Sequence, residues 1–402
     1  MIVLENEKER IVHSTDYNTY FNKESGFFAR WGESKEDDPV KAPMPEIADI
    51  EISSGRCHNS CPFCYKKNSA GGELHNMTFQ EFRKVFHKIA KTVVEIKFLD
   101  HRPAEVEVIS DFDLDNIYKD CMTKQDIIDK NLEYYDPEAV FSIQVYNQGL
   151  LNQIAFGITS PYDNPDFFRM MEYARAFEVI PNYTIKAADV SEEVAEQTVR
   201  LCGACAISLG ENREQNIRAI KLLDKIKQKN VHQVAMNTTY DKIIEFLELL
   251  HNRNDLSINA LVLLKYKPKG TNAGKFKPLS KEQYKNIFNL ASEYGIGIGF
   301  DSCSAPIYLD MVKDSEKASE LSMYAEPCES TLFSVYVNSH CEMFPCSFAE
   351  SEKRDDEDWT TGINLLEIKD FQKEVWNSER VEYFRNKLLE HKRHCPMFSL
   401  EE

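Results

Sequence analysis

Short apolar runs alternate with longer stretches of helical spacing along most of the chain. Ile47–Ser53 alternates apolar and polar residues as a half-buried strand does. Gln153–Ile158, Val179–Ile185, Ala204–Leu209, His232–Asn237, Ile258–Leu264 and Gly295–Phe300 are further runs of strand length, each bounded by turn residues. In Thr78–Thr92 the apolar residues Phe79, Phe82, Val85, Phe86 and Ile89 share one helical face, and Thr78 stands where an N-cap belongs. Strand–helix alternation repeated this often predicts parallel strands covered by helices. Six such strands precede the Gly295 segment. The count suits an α/β fold built as an incomplete (β/α) barrel, with an open doubly wound sheet as the competing geometry.

Three stretches break this rhythm. Residues 1–45 are polar and aromatic, with Gly26, Gly32, Pro39 and Pro43, and read as an N-terminal arm or short hairpin. Residues 93–146 are rich in Asp, Tyr and Ile without a single period, and read as an insertion between the first helix and the second strand. The expectation is that this insertion sits near the barrel mouth, as a substrate contact or a solvated decoration. Residues 301–402 form a small cysteine-rich extension to the barrel of residues 46–300. Within it, Glu350–Asp358 reads as a charged solvated loop, and Val381–His391 as an amphipathic helix carrying Tyr383, Phe384, Leu388 and Leu389.

Composition narrows the function. The 402 residues suit about two domains, and 42% hydrophobic content can bury a substantial core. No apolar run is long enough for a membrane span or secretory signal, so a cytoplasmic enzyme is the expectation. The net charge of -18 argues against nucleic acid or an anionic membrane as partner, since both need an exposed basic face. Eleven cysteines, an odd number, point to metal rather than disulfides.

Cys57, Cys61 and Cys64 form a CxxxCxxC loop directly after the first predicted strand. Three thiolates can hold three corners of a 4Fe-4S cube and leave one iron open. That iron can take the amino and carboxylate groups of S-adenosylmethionine, whose reductive cleavage yields a 5′-deoxyadenosyl radical. A structural zinc site, with His58 as a fourth donor, and an unrelated clustering of cysteines are the alternatives.

The loop resembles the motif of the radical S-adenosylmethionine (radical SAM) superfamily, CxxxCxΦC, with Phe63 at the aromatic position. The resemblance implies a partial (β/α)6 TIM-like barrel with the cluster above its first strand, and Phe63 against the adenine. In the family a Gly-Gly-Glu-Pro-like stretch after the second strand binds the methionine amino group. Here the segment is Gly157-Ile158-Thr159-Ser160-Pro161, so Thr159 and Ser160 take that place, Ser160 standing where Glu would. Ser208-Leu209-Gly210 resembles the family's Ser-Leu-Asp-Gly, which assigns Ser208 to the ribose or carboxylate. Arg218 is a candidate for the carboxylate, because guanidinium binds carboxylate bidentately, with a surface helix Arg the favoured alternative. Asn182, at the third strand end, and Asn237, at the fifth, are candidate polar wall residues, with a satisfied turn Asn the alternative for each. The family also implies an external electron donor such as flavodoxin or ferredoxin.

The stretch Cys328 to Cys346 resembles the Cys–Gly–Cys hairpin element of SPASM and Twitch extensions, with Cys341 where that pattern has Gly. Such extensions bind auxiliary iron–sulfur clusters, and the cysteines here suffice for one. Cys328, Cys346 and Cys395 are its expected ligands. Cys303, which follows a strand and opens the extension, is preferred as the fourth, and Cys341 is the other candidate. A zinc-bound version has the same ligand count. Cys121, Cys202 and Cys205 read as small buried hydrophobes.

The expected function is therefore radical hydrogen abstraction from a peptide or protein substrate, in the manner of enzymes that mature ribosomally made peptides. The alternatives are a radical dehydrogenase or mutase on a small polar metabolite, and a zinc-stabilised binding module without catalysis.

Overall fold

The computed structural model describes residues 2–34, 37–58, 61–66, 71–99, 105–109, 114, 117–135, 141–270, 272–323, 325–354 and 356–398. The N-terminal arm is a sheet of its own: β1 (Ile2–Glu5), β2 (Glu9–His13), β3 (Asn18–Asn22) and β4 (Phe28–Trp31) form an antiparallel meander. Arg10 fastens it to the rest of the molecule. Its buried guanidinium donates to the backbone carbonyls of Asn147 at 3.0 Å, Leu151 at 3.1 Å and Gly149. These bonds answer its two terminal nitrogens, and the Glu5 carboxylate 3.6 Å from Nε offsets the charge, which makes the buried cation tolerable.

The barrel begins with β5 (Ile47–Glu51). Two short strands, β6 (Ser53–Ser54) and β7 (His75–Asn76), then pair antiparallel across the base of the cysteine loop. Helix α1 (Phe79–Ala90) follows, opened by a reciprocal capping box between Thr78 and Glu81. It buries Phe79, Phe82, Val85, Phe86 and Ile89, the face its periodicity announced.

The insertion folds as β8 (Thr92–Phe98), β9 (Glu105–Ile109) and β10 (Phe141–Asn147), an antiparallel sheet in the order β10-β8-β9. It lies at the opposite end of the barrel from the mouth, which corrects the expectation above. The reason is topological. Helix α1 returns antiparallel to the strands, so a segment between a helix and the next strand emerges at the strands' N-terminal ends. The amides of Gln148 and Gly149 accordingly bond the carbonyls of Lys91 and Ala90, both at 2.9 Å, just below the following strand.

That strand is β11 (Gln153–Gly157), followed by β12 (Ile180–Lys186), β13 (Ala204–Ser208), β14 (Gln228–Ala235), β15 (Ala260–Lys265) and β16 (Ile298–Phe300). All pair in parallel, and from β5 to β16 the spatial order follows the chain order without reversal. A doubly wound sheet would reverse at a switch point, so the partial barrel is the geometry adopted.

The extension continues the same sheet. β17 (Ser334–Val337) pairs in parallel with the free side of β5, β18 (Glu342–Phe344) folds back on β17, and a two-stranded hairpin, β19 (Glu352–Arg354) with β20 (Glu357–Trp359), follows. β21 (Ile363–Asn364) pairs with β18 and ends a ten-stranded open sheet. The charged run Glu350–Asp358 is thus this hairpin rather than a loop, anchored by the fully buried Trp359. A closing helix, Glu379–Glu390, buries Val381, Phe384 and Leu388. No helix among the described residues is long and apolar enough to cross a membrane.

Burial alternates along the barrel strands. Ile154, Phe156, Tyr183, Ile185, Cys205, Ile207 and Val231 face the apolar core. The opposite face carries Ala155, Gly157, Ala204, Ala206 and Ala260 and stays partly open. Closed barrels fill this position with bulky side chains; this one is hollow.

Candidate active site

Cys57, Cys61 and Cys64 stand at the C-terminal edge of the sheet, just beyond Glu51 at the end of β5. Two glycines shape the loop. Gly55 has φ +85°, and a Cβ there would stand 2.0 Å from the Glu73 carbonyl oxygen. Gly270, at φ +90°, brings the segment after β15 against Cys64, where a Cβ would meet the Cys64 carbonyl oxygen at 2.2 Å. Only glycine satisfies both the dihedral and the approach. The three thiols are half-buried and line one cavity of about 410 Å³, shared with Phe63, Thr159 and Lys186. Lys186, the last residue of β12, places its Nζ 3.1 Å from Cys61 Sγ. Burial raises the Cys64 thiol above its ordinary range, and the neighbouring Cys61 and Cys57 add to this.

Beside this loop a buried polar network joins barrel to extension. Lys66 Nζ lies 3.1 Å from Glu51 and also pairs with Glu350, while Tyr336 on β17 donates to Glu51 at 3.0 Å. Burial works against the Lys66 charge, but Glu51 and Glu350 outweigh it and raise its pKa.

Cys303, Cys328, Cys346 and Cys395 form the second array. Each is half-buried, and each has its thiol raised by burial first and by one or more of the others after that; Cys303 is pushed up to about 11. Backbone N–H groups of Phe348 and Ala349 approach the Cys346 sulfur, and those of Met397 and Phe398 the Cys395 sulfur. Cys341 stands apart. It sits in the left-handed region at φ +63°, and the charges it feels are Glu81, Lys84 and Lys88 on or beside α1. The structure therefore groups Cys303, not Cys341, with the other three.

The arrays are neighbours. Tyr65, next to Cys64, stacks on Phe348, two residues past Cys346, with ring centroids 4.1 Å apart. The buried Lys267 places its Nζ 3.7 Å from the Phe348 ring centroid, bonds Cys303 and lines the Cys57–Cys64 cavity. Among the described residues no three His, Cys, Asp or Glu side chains crowd one point closely enough to hold a single ion.

No family model matches this sequence, and no curated protein does. Solved structures do. SuiB of Streptococcus suis bound to its precursor peptide SuiA superposes with TM-score 0.59 at 10% identity, over 96% of this chain and 90% of that one. SuiB bound to S-adenosylmethionine matches with TM-score 0.53 at 13% identity, over 86% and 68%. Native anSMEcpe with bound AdoMet and the Cp18Cys peptide matches with TM-score 0.50 at 14% identity, over 85% and 82%. The fold is that of SuiB and anSMEcpe.

Within this shared fold the other expected residues divide. Phe63 and Thr159 line the cavity, and the Thr159 hydroxyl is held by Ser53 at 3.2 Å and Asp163 at 2.6 Å. Ser160 is outside it, in a turn closed by the Tyr162 and Asp163 amides. Ser208 ends β13 level with Lys186 and His232 but does not line the cavity. Asn182 is not at a strand end: β12 continues to Lys186, and Asn182 sits low in the barrel, bonding Gln153 at 3.4 Å. Arg218 is exposed on the outer side of helix Arg213–Leu222, whose buried residues are Asn216, Ala219 and Ile220, so it points away from the site. Asn237 is an exposed turn residue tied to the Lys277 backbone. Cys121, Cys202 and Cys205 are buried, as expected. Sequence reasoning missed Glu51, Lys66, Lys186 and Lys267. Glu51 and Lys186 end the strands β5 and β12, a position that carries a side chain toward the mouth only once the strand bounds are known; Lys66 and Lys267 lie in loops, where sequence offered no signal.

Proposed function

We propose that this chain is a radical SAM enzyme acting on a peptide or protein. The observation that carries the reading is the three-cysteine loop above β5, sharing one cavity with Phe63, Thr159 and Lys186, a cavity whose lining among the described residues holds no fourth cysteine and no histidine. Cys57, Cys61 and Cys64 would hold a 4Fe-4S cluster there, and Cys303, Cys328, Cys346 and Cys395 an auxiliary one. With S-adenosylmethionine bound, that cofactor set supplies a 5′-deoxyadenosyl radical able to take hydrogen from substrate.

The chain's own residues prepare the site. Lys186 sets a cation against the Cys61 thiolate, and Lys267 sets one against Cys303, offsetting the negative charge of buried sulfur. Phe63 gives the cavity an apolar wall for a base, and Thr159, fixed by Ser53 and Asp163, presents a hydroxyl beside it. The Glu51–Lys66–Tyr336–Glu350 network holds the extension over the loop, which keeps water from the reacting centre. Peptide rather than metabolite is favoured because SuiB and anSMEcpe, similar over most of this chain, are seen with peptides bound. An external one-electron donor such as flavodoxin or ferredoxin is required. The test is to reduce the anaerobically reconstituted protein with S-adenosylmethionine present. Release of 5′-deoxyadenosine supports the proposal, and its absence from iron-loaded protein refutes it.

A further inference from the structure

Strand β5 turns Ile47, Asp49 and Glu51 toward the barrel interior. Glu51 lines the cysteine cavity, and Ile47 lines a second cavity of about 690 Å³ at the opposite end of the barrel. Asp49 lies between the two, about 7 Å along the strand from each of them. Its register partners are Ala155 on β11 and Tyr336 on β17. Although it stands mid-strand between two paired neighbours, its side chain is solvent-accessible, because the interior in front of it is hollow.

Its carboxylate makes no hydrogen bond and no ion pair with any described residue. Three other inward or buried acids are answered: Glu46 by Arg30 at 2.7 Å, Glu51 by Lys66, Asp301 by Lys267 at 3.6 Å. Burial alone pushes Asp49 up to about 6, with no cation acting against it. An unanswered carboxylate in an enclosed space is costly unless something arrives to pair with it.

We propose that the hollow interior receives a cationic side chain of the substrate, an amine or a guanidinium, with Asp49 as its counter-ion. This rests on the peptide-modifying reading above. Thr184, also facing inward and accessible, and the His232 ring beside it at 3.4 Å add uncharged hydrogen-bonding surface farther round the wall. His232 is held neutral by burial, its pKa lowered to about 4, so it does not compete for the carboxylate.

The probes are Nα-acetyl-lysine amide, Nα-acetyl-arginine amide and the uncharged Nα-acetyl-norleucine amide. Their binding to the reconstituted protein with S-adenosylmethionine is followed by ligand-observed NMR. At least one cation binds about tenfold or more tighter than norleucine, the scale of one charge pair. Asp49→Asn loses that preference and Asp49→Glu retains it. Equal affinities, no binding of either cation, or a preference that survives Asp49→Asn overturns the proposal. Reducing the same samples with dithionite after the binding measurement and counting 5′-deoxyadenosine separates the two readings: its absence from iron-loaded wild type sinks the enzyme assignment, whereas cation preference reports on the interior alone.

Discussion

Lys186 and Cys341 show how much a single residue decides at this site. The Lys186 ammonium, 3.1 Å from Cys61 Sγ, stabilises negative charge on that sulfur. In Lys186→Met the midpoint potential of the Cys57–Cys64 cluster, read by EPR-monitored titration, falls by an amount on the order of tens of millivolts, the worth of a hydrogen bond to a charged group. An unchanged potential would show the contact to be idle. For the second array, Cys303→Ala lowers iron by about four atoms per chain while Cys341→Ser leaves it intact. The reverse result would return Cys341 to the ligand set. The cysteines were legible because their spacing is itself the signal. Lys186 was not, because one lysine after an apolar run has no pattern until the neighbouring strands place it beside a thiol. Asn182 is a related case of position: four more residues of β12 separate it from the rim, so the expected strand-end place belongs to Lys186.

At the scale of elements, α1 was readable to within two residues, since a 3.6-residue apolar stripe and a capping box are local properties. β14 was not. It begins at Gln228, and its start is hidden by Lys229 and Gln233, polar residues that the fold nevertheless buries. Lys229 manages this by bonding the Ile220 carbonyl at 3.0 Å and Asp224 at 2.9 Å, partners that local sequence does not reveal. Helix α1 also carries a pH dependence. His87 is fully buried, facing Thr92 at 2.9 Å and Tyr173 at 2.7 Å. Burial, helped by Arg83, lowers its pKa to about 3. Below the unfolded value of about 6.5 the unfolded chain takes up a proton that the folded one refuses. Stability from this group is therefore complete above pH ~6.5 and is lost as pH falls toward 3, at up to about 1.4 kcal/mol per unit. Urea unfolding at pH 7 and pH 4.5 should show His87→Gln losing less stability than wild type over that interval. An equal loss would place the acid sensitivity elsewhere.

The molecule as a whole is one open sheet with additions at both ends. The extension is welded to the barrel through β17 on β5, so the two cysteine arrays share a single frame. The insertion hangs from the far end, where Val93 and Tyr146 are register partners. Excising residues 94–145 and joining these two through a short glycine turn should lower the melting temperature, because buried residues such as Val94, Ile96, Leu114 and Tyr118 are lost. S-adenosylmethionine cleavage should persist. A folded variant without cleavage would mean that the insertion reaches the site after all. Chain order alone contained the barrel, but the end at which the insertion emerges follows from helix direction, a global property.

The most direct test of the central claim is metal analysis with product detection on wild type and the Cys57→Ala, Cys61→Ala, Cys64→Ala triple variant, both reconstituted anaerobically and then reduced with dithionite in the presence of S-adenosylmethionine. The account predicts about eight irons per chain in wild type and about four in the variant, with 5′-deoxyadenosine formed only by wild type. Zinc in place of iron, or cleavage surviving in the variant, would contradict it.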